Sequence, residues 1–181
     1  MKISPIDLKQ YRELLSDIPV NLPDVEVDWD EEPNGTLRHE DYILVPAGRS
    51  VEQIILRPGD VLVVLGAANE VKANELVAAT VVVGRYGRIR KLRAYDSVIS
   101  VHVWDDGTVD TMEMHDRISI VDVYGYGRIG DIHLSGSVAP TIRAHDHARI
   151  GEIVLEYPRV EISPRARVDR IRVGNVADII P

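Results

Sequence analysis

The chain has no cysteine and no phenylalanine, and only two tryptophans and three methionines in 181 residues. Without cysteine there are no disulfides and no thiolate chemistry, and the redox compartment is left open. No apolar run approaches the roughly 20 residues needed to cross a bilayer. No basic segment precedes an apolar stretch at the N-terminus, so the chain reads as soluble, without membrane insertion. Positive charge is also short: 21 Lys and Arg face 29 Asp and Glu, a formal net charge of −8. Nucleic-acid binding that neutralises phosphates with Lys and Arg is therefore not expected. What is abundant is branched aliphatic: 25 valines and 19 isoleucines. Side chains stiff at χ1 suit a pleated surface and argue against a helical bundle. A hydrophobic content of 45% with 28% charged residues is that of a folded domain, not a disordered tail.

Written in rows of twenty, the sequence shows a register. Val61 and Val63 fall over Val81 and Val83, then Val101 and Val103, then Val121 and Val123. With one inserted residue near Ala139-Pro140, the column continues to Ile142 and Ala144, then Ile162. A second column runs Leu92/Ala94, Met112/Met114, Ile132/Leu134, Ile153/Leu155; a third Ile89, Val109, Ile129, Ile150; a fourth Val98, Ile118, Val138. The i, i+2 spacing within a row puts both side chains on one face of a strand. Gly87, Gly107 and Gly127 recur just before an inward aliphatic, as expected of corners requiring positive φ.

A chain returning to one point every twenty residues through short strands and polar corners predicts an all-β fold, a β-solenoid or β-helix. About six coils from Val51 to Val176, stacked about 4.8 Å apart, rise roughly 30 Å. An antiparallel sandwich or jelly roll would also show many short strands, but would not need a fixed period.

Residues 1–50 lack the period and form a separate N-terminal region ahead of a solenoid domain at 51–181. Ser4-Pro5-Ile6-Asp7 reads as an N-cap, a first-turn proline and a favourable acidic residue. A stripe of Leu8, Tyr11, Leu15 and Ile18 predicts a helix from about Pro5 to Ser16. Val25, Val27 and Trp29 alternate with acidic residues in a half-buried strand pattern, and Asn34-Gly35 marks a tight turn before a strand at Tyr42 to Val45. Asn34-Gly35-Thr36 matches a glycosylation sequon, which is read as accidental without a secretory signal. The helix and hairpin have two readings: a cap over open strand edges, or an anchor docking into a larger assembly through Leu8, Tyr11 and Leu15. Ile179 and Ile180, near the C-terminus, also need a partner surface.

For chemistry, six histidines invite a metal hypothesis. In the register no two of them share a column in adjacent coils, and His145-Asp146-His147 falls in a corner, so no metal site is assigned. Carboxylate pairs for glycoside cleavage are available at Asp105-Asp106, Asp96 with Asp116, and Asp131 with Glu152. Corner aspartates bonding to nearby backbone account for Asp96 and Asp116 without catalysis. No phosphate loop, dinucleotide fingerprint or nucleophile elbow is present, so no catalytic residue, cofactor or enzyme activity is expected. The outward columns read as charge ladders: Lys91, Thr111, Asp131, Glu152, Arg170; Arg93, Glu113, His133; and His102, Asp122, Arg143. Arg88, Arg128, Arg149 and Arg167 form a basic stripe, either a solvated edge or a contact for an acidic partner such as segment 24–32 of a neighbouring copy. Tyr95, Trp104, Tyr124 and Tyr126 project from corners as an aromatic stripe expected to be an interface.

The repeat departs from the hexapeptide pattern and eighteen-residue coil of left-handed β-helix acyltransferases and carbonic anhydrases. With its acidic solenoid and helical N-terminus, the chain resembles the β-helical appendage proteins of bacteriophage virions: tail or baseplate spikes, minor tail proteins and capsid-surface fibres. The resemblance covers the architecture from about Val51 to Pro181. It implies a non-enzymatic structural role in the virion, a homo-oligomer and specifically a homotrimer, and contact with other virion proteins through residues 1–50. Attachment to a host-surface glycan is also implied. The alternatives are a polysaccharide-binding or polysaccharide-cleaving β-helix module, and a bactofilin-like polymer of the bacterial cytoplasm.

Overall fold

A computed structural model describes residues 9–14, 27–74, 76–115, 120–135, 141–155 and 160–173. Its alternating aliphatic and polar residues form short strands. They run β1 (Asp30–Glu31), β2 (Leu37–His39), β3 (Tyr42–Val45), β4 (Ser50–Ile55), β5 (Val61–Val64), β6 (Ala67–Asn74), β7 (Ala78–Val83) and β8 (Arg88–Tyr95). They continue as β9 (Val98–Val103), β10 (Thr108–His115), β11 (Ile120–Val123), β12 (Arg128–Ser135), β13 (Thr141–Ala144), β14 (Arg149–Leu155), β15 (Val160–Ile162) and β16 (Arg167–Val173). From β3 onward, odd strands stack in one sheet and even strands in the other, all parallel. That is a β-solenoid of about six turns with coils of about 20 residues.

The register matches the sequence columns over most of its length. Val81 pairs with Val101, Val101 with Val121, and Val121 with Ile142. Leu92, Met112, Ile132 and Ile153 stack in the facing sheet. All are sealed from solvent and merge into one interior cluster, so each coil buries its aliphatics against the coils above and below.

Three details differ from the reading of the sequence. In β5 the inward residues are Leu62 and Val64, which pair with Val81 and Val83; Val61 and Val63 face outward. The run Val61-Leu62-Val63-Val64 is apolar on both faces, so alternation could not choose between them, and a one-residue slip exchanges the faces. Val98 is likewise outward and exposed, while Ser97 beside it is buried, its hydroxyl donating to the carbonyls of Tyr95 and Ala73. Its expected column mates Ile118 and Val138 lie outside the described residues. The corner glycines are needed for space, not for positive φ. A Cβ on Gly107 would sit 2.6 Å from the Val83 carbonyl oxygen of the coil before. The left-handed residues are instead Tyr86, Asp105, Gly125 and Asp146, within turns closed by bonds such as Gly107 N to Trp104 O at 2.9 Å.

Each even strand also bends. Val109 and Met112 point inward while Asp110 and Thr111 between them do not, and the ladder skips Asp110 opposite Gly130. At this corner the backbones crowd: a Cβ on Gly130 would lie 2.3 Å from the Asp110 carbonyl oxygen.

The N-terminal segment packs on the outside of the first coils. Helix α1 covers 9–14 of the helix expected from Pro5 to Ser16. Of the expected stripe, Tyr11 is buried, and Leu14 is buried beside it; Leu8, Leu15 and Ile18 lie outside the described residues. Of the strand expected through Val25 to Trp29, Val25 lies outside the described residues and Val27 to Trp29 are not in strand; β1 begins after Trp29 and pairs antiparallel with β2. Asn34 shapes the intervening turn by accepting bonds from the Thr36 amide (3.0 Å) and hydroxyl (2.7 Å). Tyr11 and Trp29 meet edge to face at 6.1 Å and, with Leu14 and Leu37, cover Leu44, Val63 and Val82 on the outer face of the odd-strand sheet. β2 and β1 extend that sheet past β3, occupying what would be a bare edge.

Candidate functional site

The corner leading from the odd to the even strands carries rings in register. Trp104 and Tyr124 lie 4.6 Å apart, and Tyr124 stacks on His145 at 4.5 Å with 3° between planes. Two residues on, Tyr126 stacks on His147 at 5.2 Å and 9°. These separations follow the spacing of the coils, so the backbone itself sets the stack. The column begins at Gly84, where the missing side chain leaves room for Leu14 of α1: a Cβ there would lie 2.7 Å from Leu14 Cδ1. Gln10, Glu13, Leu14, Arg85, Trp104 and Asp105 line a cleft of about 190 Å³ beneath the helix.

Tyr95 does not join this ladder. It lies at the opposite corner, leading back to the odd strands, stacked on His115 at 4.8 Å and 10°, and His115 in turn meets the Ser135 hydroxyl. The single aromatic stripe of the sequence is thus two ladders on two edges. Tyr126 (57% exposed) and Tyr95 (37%) reach solvent, whereas Trp104 and Tyr124 are half-buried. Tyr11 is enclosed within its own chain, and Leu8, Leu15, Ile179 and Ile180 lie outside the described residues. Tyr124 is flanked on both sides, by His145 in parallel and by Trp104 at a 41° tilt, so this ring offers its edge outward where a stacked sugar would need an open face.

Beside these rings lies the column His102, Asp122, Arg143 on the outer face of the odd-strand sheet. Asp122 is buried and accepts bonds from Arg143 Nε at 2.6 Å and Nη2 at 2.8 Å. His102 Nδ1 and His145 Nε2 approach the same carboxylate at 3.6 and 3.5 Å. Burial holds the His102 imidazole below its ordinary value; Asp122 opposes this and Arg143 adds to it. Burial likewise raises the Tyr124 phenol, reinforced by Asp122. The sequence column flagged these three as a surface charge ladder, but not their enclosure, because the rings that cover them come from the adjoining corner.

The even-strand sheet carries a second ion ladder, joined diagonally. Arg93 bridges Glu70 (2.9 Å) and Glu113 (3.0 Å), and Lys91 reaches Glu113 at 2.6 Å, past its direct neighbour Thr111. Burial pushes the Glu113 carboxyl up, but hydrogen bonds from Lys91 and Arg93 outweigh it and the net shift is downward. Glu70 is lowered by its bond from Gln53 and by Lys72. Of the carboxylates considered for sugar cleavage, Asp105 pairs with Arg85 at 3.3 Å, and Glu152 with Arg172 at 2.8 Å and Arg170 at 3.6 Å. Asp96 holds a left-handed corner and Asp116 lies outside the described residues. Among the described residues no three His, Asp or Glu side chains gather in a metal-binding geometry, and no helix is long and apolar enough to cross a membrane. The chain matches no protein-family model, no curated protein and no solved structure.

Proposed function

We propose that the protein is a non-enzymatic structural component of a bacteriophage virion, a tail, baseplate or capsid-surface appendage acting through homo-oligomeric assembly and surface attachment. The observation that carries this reading is how the outward side chains are used. Ring faces stack on rings of the next coil, Arg93 ties Glu70 to Glu113, and Arg143 closes on Asp122. These groups are engaged along the axis, where they resist shear between coils; this is the chemistry of a stiff column. Exposed Tyr126 and Tyr95 at two edges suit contacts between subunits, for which a trimer is the expected order. Residues 1–50 remain the segment proposed to dock to the particle, through a surface other than Tyr11, which faces inward.

The test is mass spectrometry of density-banded particles from a lysate of the source phage. Peptides of this chain at a stoichiometry comparable to other virion proteins are expected. Absence from intact particles, with the chain in the soluble fraction or in free filaments, would overturn the assignment in favour of a cytoplasmic, bactofilin-like polymer.

A further inference from the structure

The column Arg128, Arg149, Arg167 places three arginines in consecutive coils, on neighbouring strands of one parallel ladder. At about 4.8 Å between strands, directly adjacent like charges are destabilising, so coil stacking gives no reason for this column. Earlier in the same column the charge is answered or absent: Arg88 pairs with Asp110 at 2.6 Å, and position 108 is a threonine. Later, only Arg167 has a partner, Asp169 at 2.5 Å; Arg128 and Arg149 make no ion pair among the described residues. Exposed Arg165 and the Tyr126–His147 stack border the column, while Gly130 and Gly151 leave its other side bare. The carboxylates close in sequence are Asp131, Asp146 and Glu152, of which Glu152 is held by Arg172 at 2.8 Å and Arg170 at 3.6 Å. An exposed tyrosine among arginines is the composition of an interface hot spot, here on a protein that is acidic overall.

The complementary surface is at the other end of the same molecule. Residues 24–41 hold eight acidic residues and one arginine, whereas 143–173 hold seven arginines and five acidic residues; at the hairpin Glu31 is held by Arg49 and Glu32 by Arg38, while Asp28 and Asp30 make no ion pair among the described residues. Asp30 and Glu31 form β1, at one edge of the nine-stranded sheet, and β15 is at the opposite edge, eight strand steps or roughly 38 Å away. The two patches of one copy therefore cannot meet.

We infer that copies of this chain associate heterologously, the acidic β1–β2 hairpin of one docking on the Arg128, Arg149, Arg165, Arg167 and Tyr126 corner of the next. Such a contact closes into a ring where the rotation permits and otherwise continues as a filament. It supplies the subunit contact that the structural reading requires, and it rests on that reading only in taking assembly as the protein's role.

The test is sedimentation velocity of the full chain over a concentration series at 20 and 500 mM NaCl. Species above the 20.2 kDa monomer are expected at low salt, dissociating at high salt. Arg128→Glu with Arg149→Glu, and separately Asp28→Lys with Asp30→Lys, should each abolish association while retaining the wild-type β-sheet circular dichroism and melting. Mixing the two variants should restore it, because each then presents the opposite charge to the other. A wild type monomeric at low salt, association insensitive to salt or to charge reversal, or a mixture that stays monomeric would each overturn the inference. Particle proteomics is read independently: association without virion peptides sinks only the virion assignment, and virion peptides from a non-associating chain sink only this contact.

Discussion

Arg143 reaches across one strand spacing to close a two-pronged hydrogen bond, 2.6 and 2.8 Å, on the buried carboxylate of Asp122. The pair joins β11 to β13 on the outer face of the odd-strand sheet.

Removing the arginine leaves a carboxylate enclosed without its main partner. In a fully buried pair that costs about 3–5 kcal/mol. Arg143 is 38% exposed, and water entering in its place reduces the loss, so we expect Arg143→Ala to destabilise by about 2 kcal/mol. Arg143→Lys should recover only part, since an ammonium cannot reproduce the fork. Removing both partners should cost less than Arg143→Ala alone. Urea midpoints measure all three, and an unchanged midpoint for Arg143→Ala would show that solvent already satisfies Asp122.

His102 gives the fold a dependence on mildly acid pH. Its folded value lies below the ordinary 6.5 because burial disfavours the charged ring. Between those two values the unfolded chain holds a proton that the folded chain does not, so stability falls as pH drops from about 6.5 toward the folded value, by at most about 1.4 kcal/mol per pH unit. Glu70 and Glu113 have lowered values, so their contribution is present above the ordinary 4.5 and is lost as pH falls through the folded values. Melting temperature should begin to decline as pH falls below about 6.5 and decline further below about 4.5. His102→Gln should flatten the upper decline alone; a variant that keeps it would assign that decline to another group.

The bend in the even strands sets a steric requirement. Gly130→Ala puts a methyl 2.3 Å from the Asp110 carbonyl oxygen, and Gly151→Ala puts one 2.5 Å from that of Gly130. Both obstacles are backbone and must shift as part of a coil. Each substitution should cost about 1–3 kcal/mol, although alanine favours strands no less than glycine does. Calorimetry of the two variants decides it: a melting temperature at or above wild type would mean that the corner has room to open.

Tyr124 is held between two rings. Tyr124→Leu keeps much of the apolar area but loses the stack on His145 and the tilted ring contact with Trp104, each worth about 0.5–1.5 kcal/mol, and the phenol hydroxyl beside Asp122. Tyr124→Phe loses only the hydroxyl and should fall between wild type and leucine. Equal stability of the phenylalanine and leucine variants would locate the contribution in the hydroxyl and not in the rings.

The solenoid was legible because its period is carried by residues of one type. Val101 over Val121, and Met112 over Ile132, repeat at twenty, and parallel stacking of like aliphatics is the arrangement in which such a period puts every one of them inside. The reading slipped where that contrast vanishes. Val61 to Val64 are apolar on both faces because α1 and the hairpin cover the outer one, and no alternation remained to fix the register. Val98 slipped for the converse reason: an exposed valine at a corner looks in sequence like an inward one.

The candidate surfaces divide similarly. The columns follow from the period alone, and with them which side chains are neighbours along the axis: Trp104, Tyr124 and His145; His102, Asp122 and Arg143; Arg128, Arg149 and Arg167. What lies beside each column depends on the folded coils. Coils bend at corners whose angles depend on backbone clearance at positions such as Gly107 and Gly130, and these angles put Tyr95 on a different edge from Tyr124 and fold rings over Asp122. Axial order follows from counting residues, because one coil adds one strand spacing. Lateral order depends on how closely backbones approach in three dimensions, which no period in the sequence encodes.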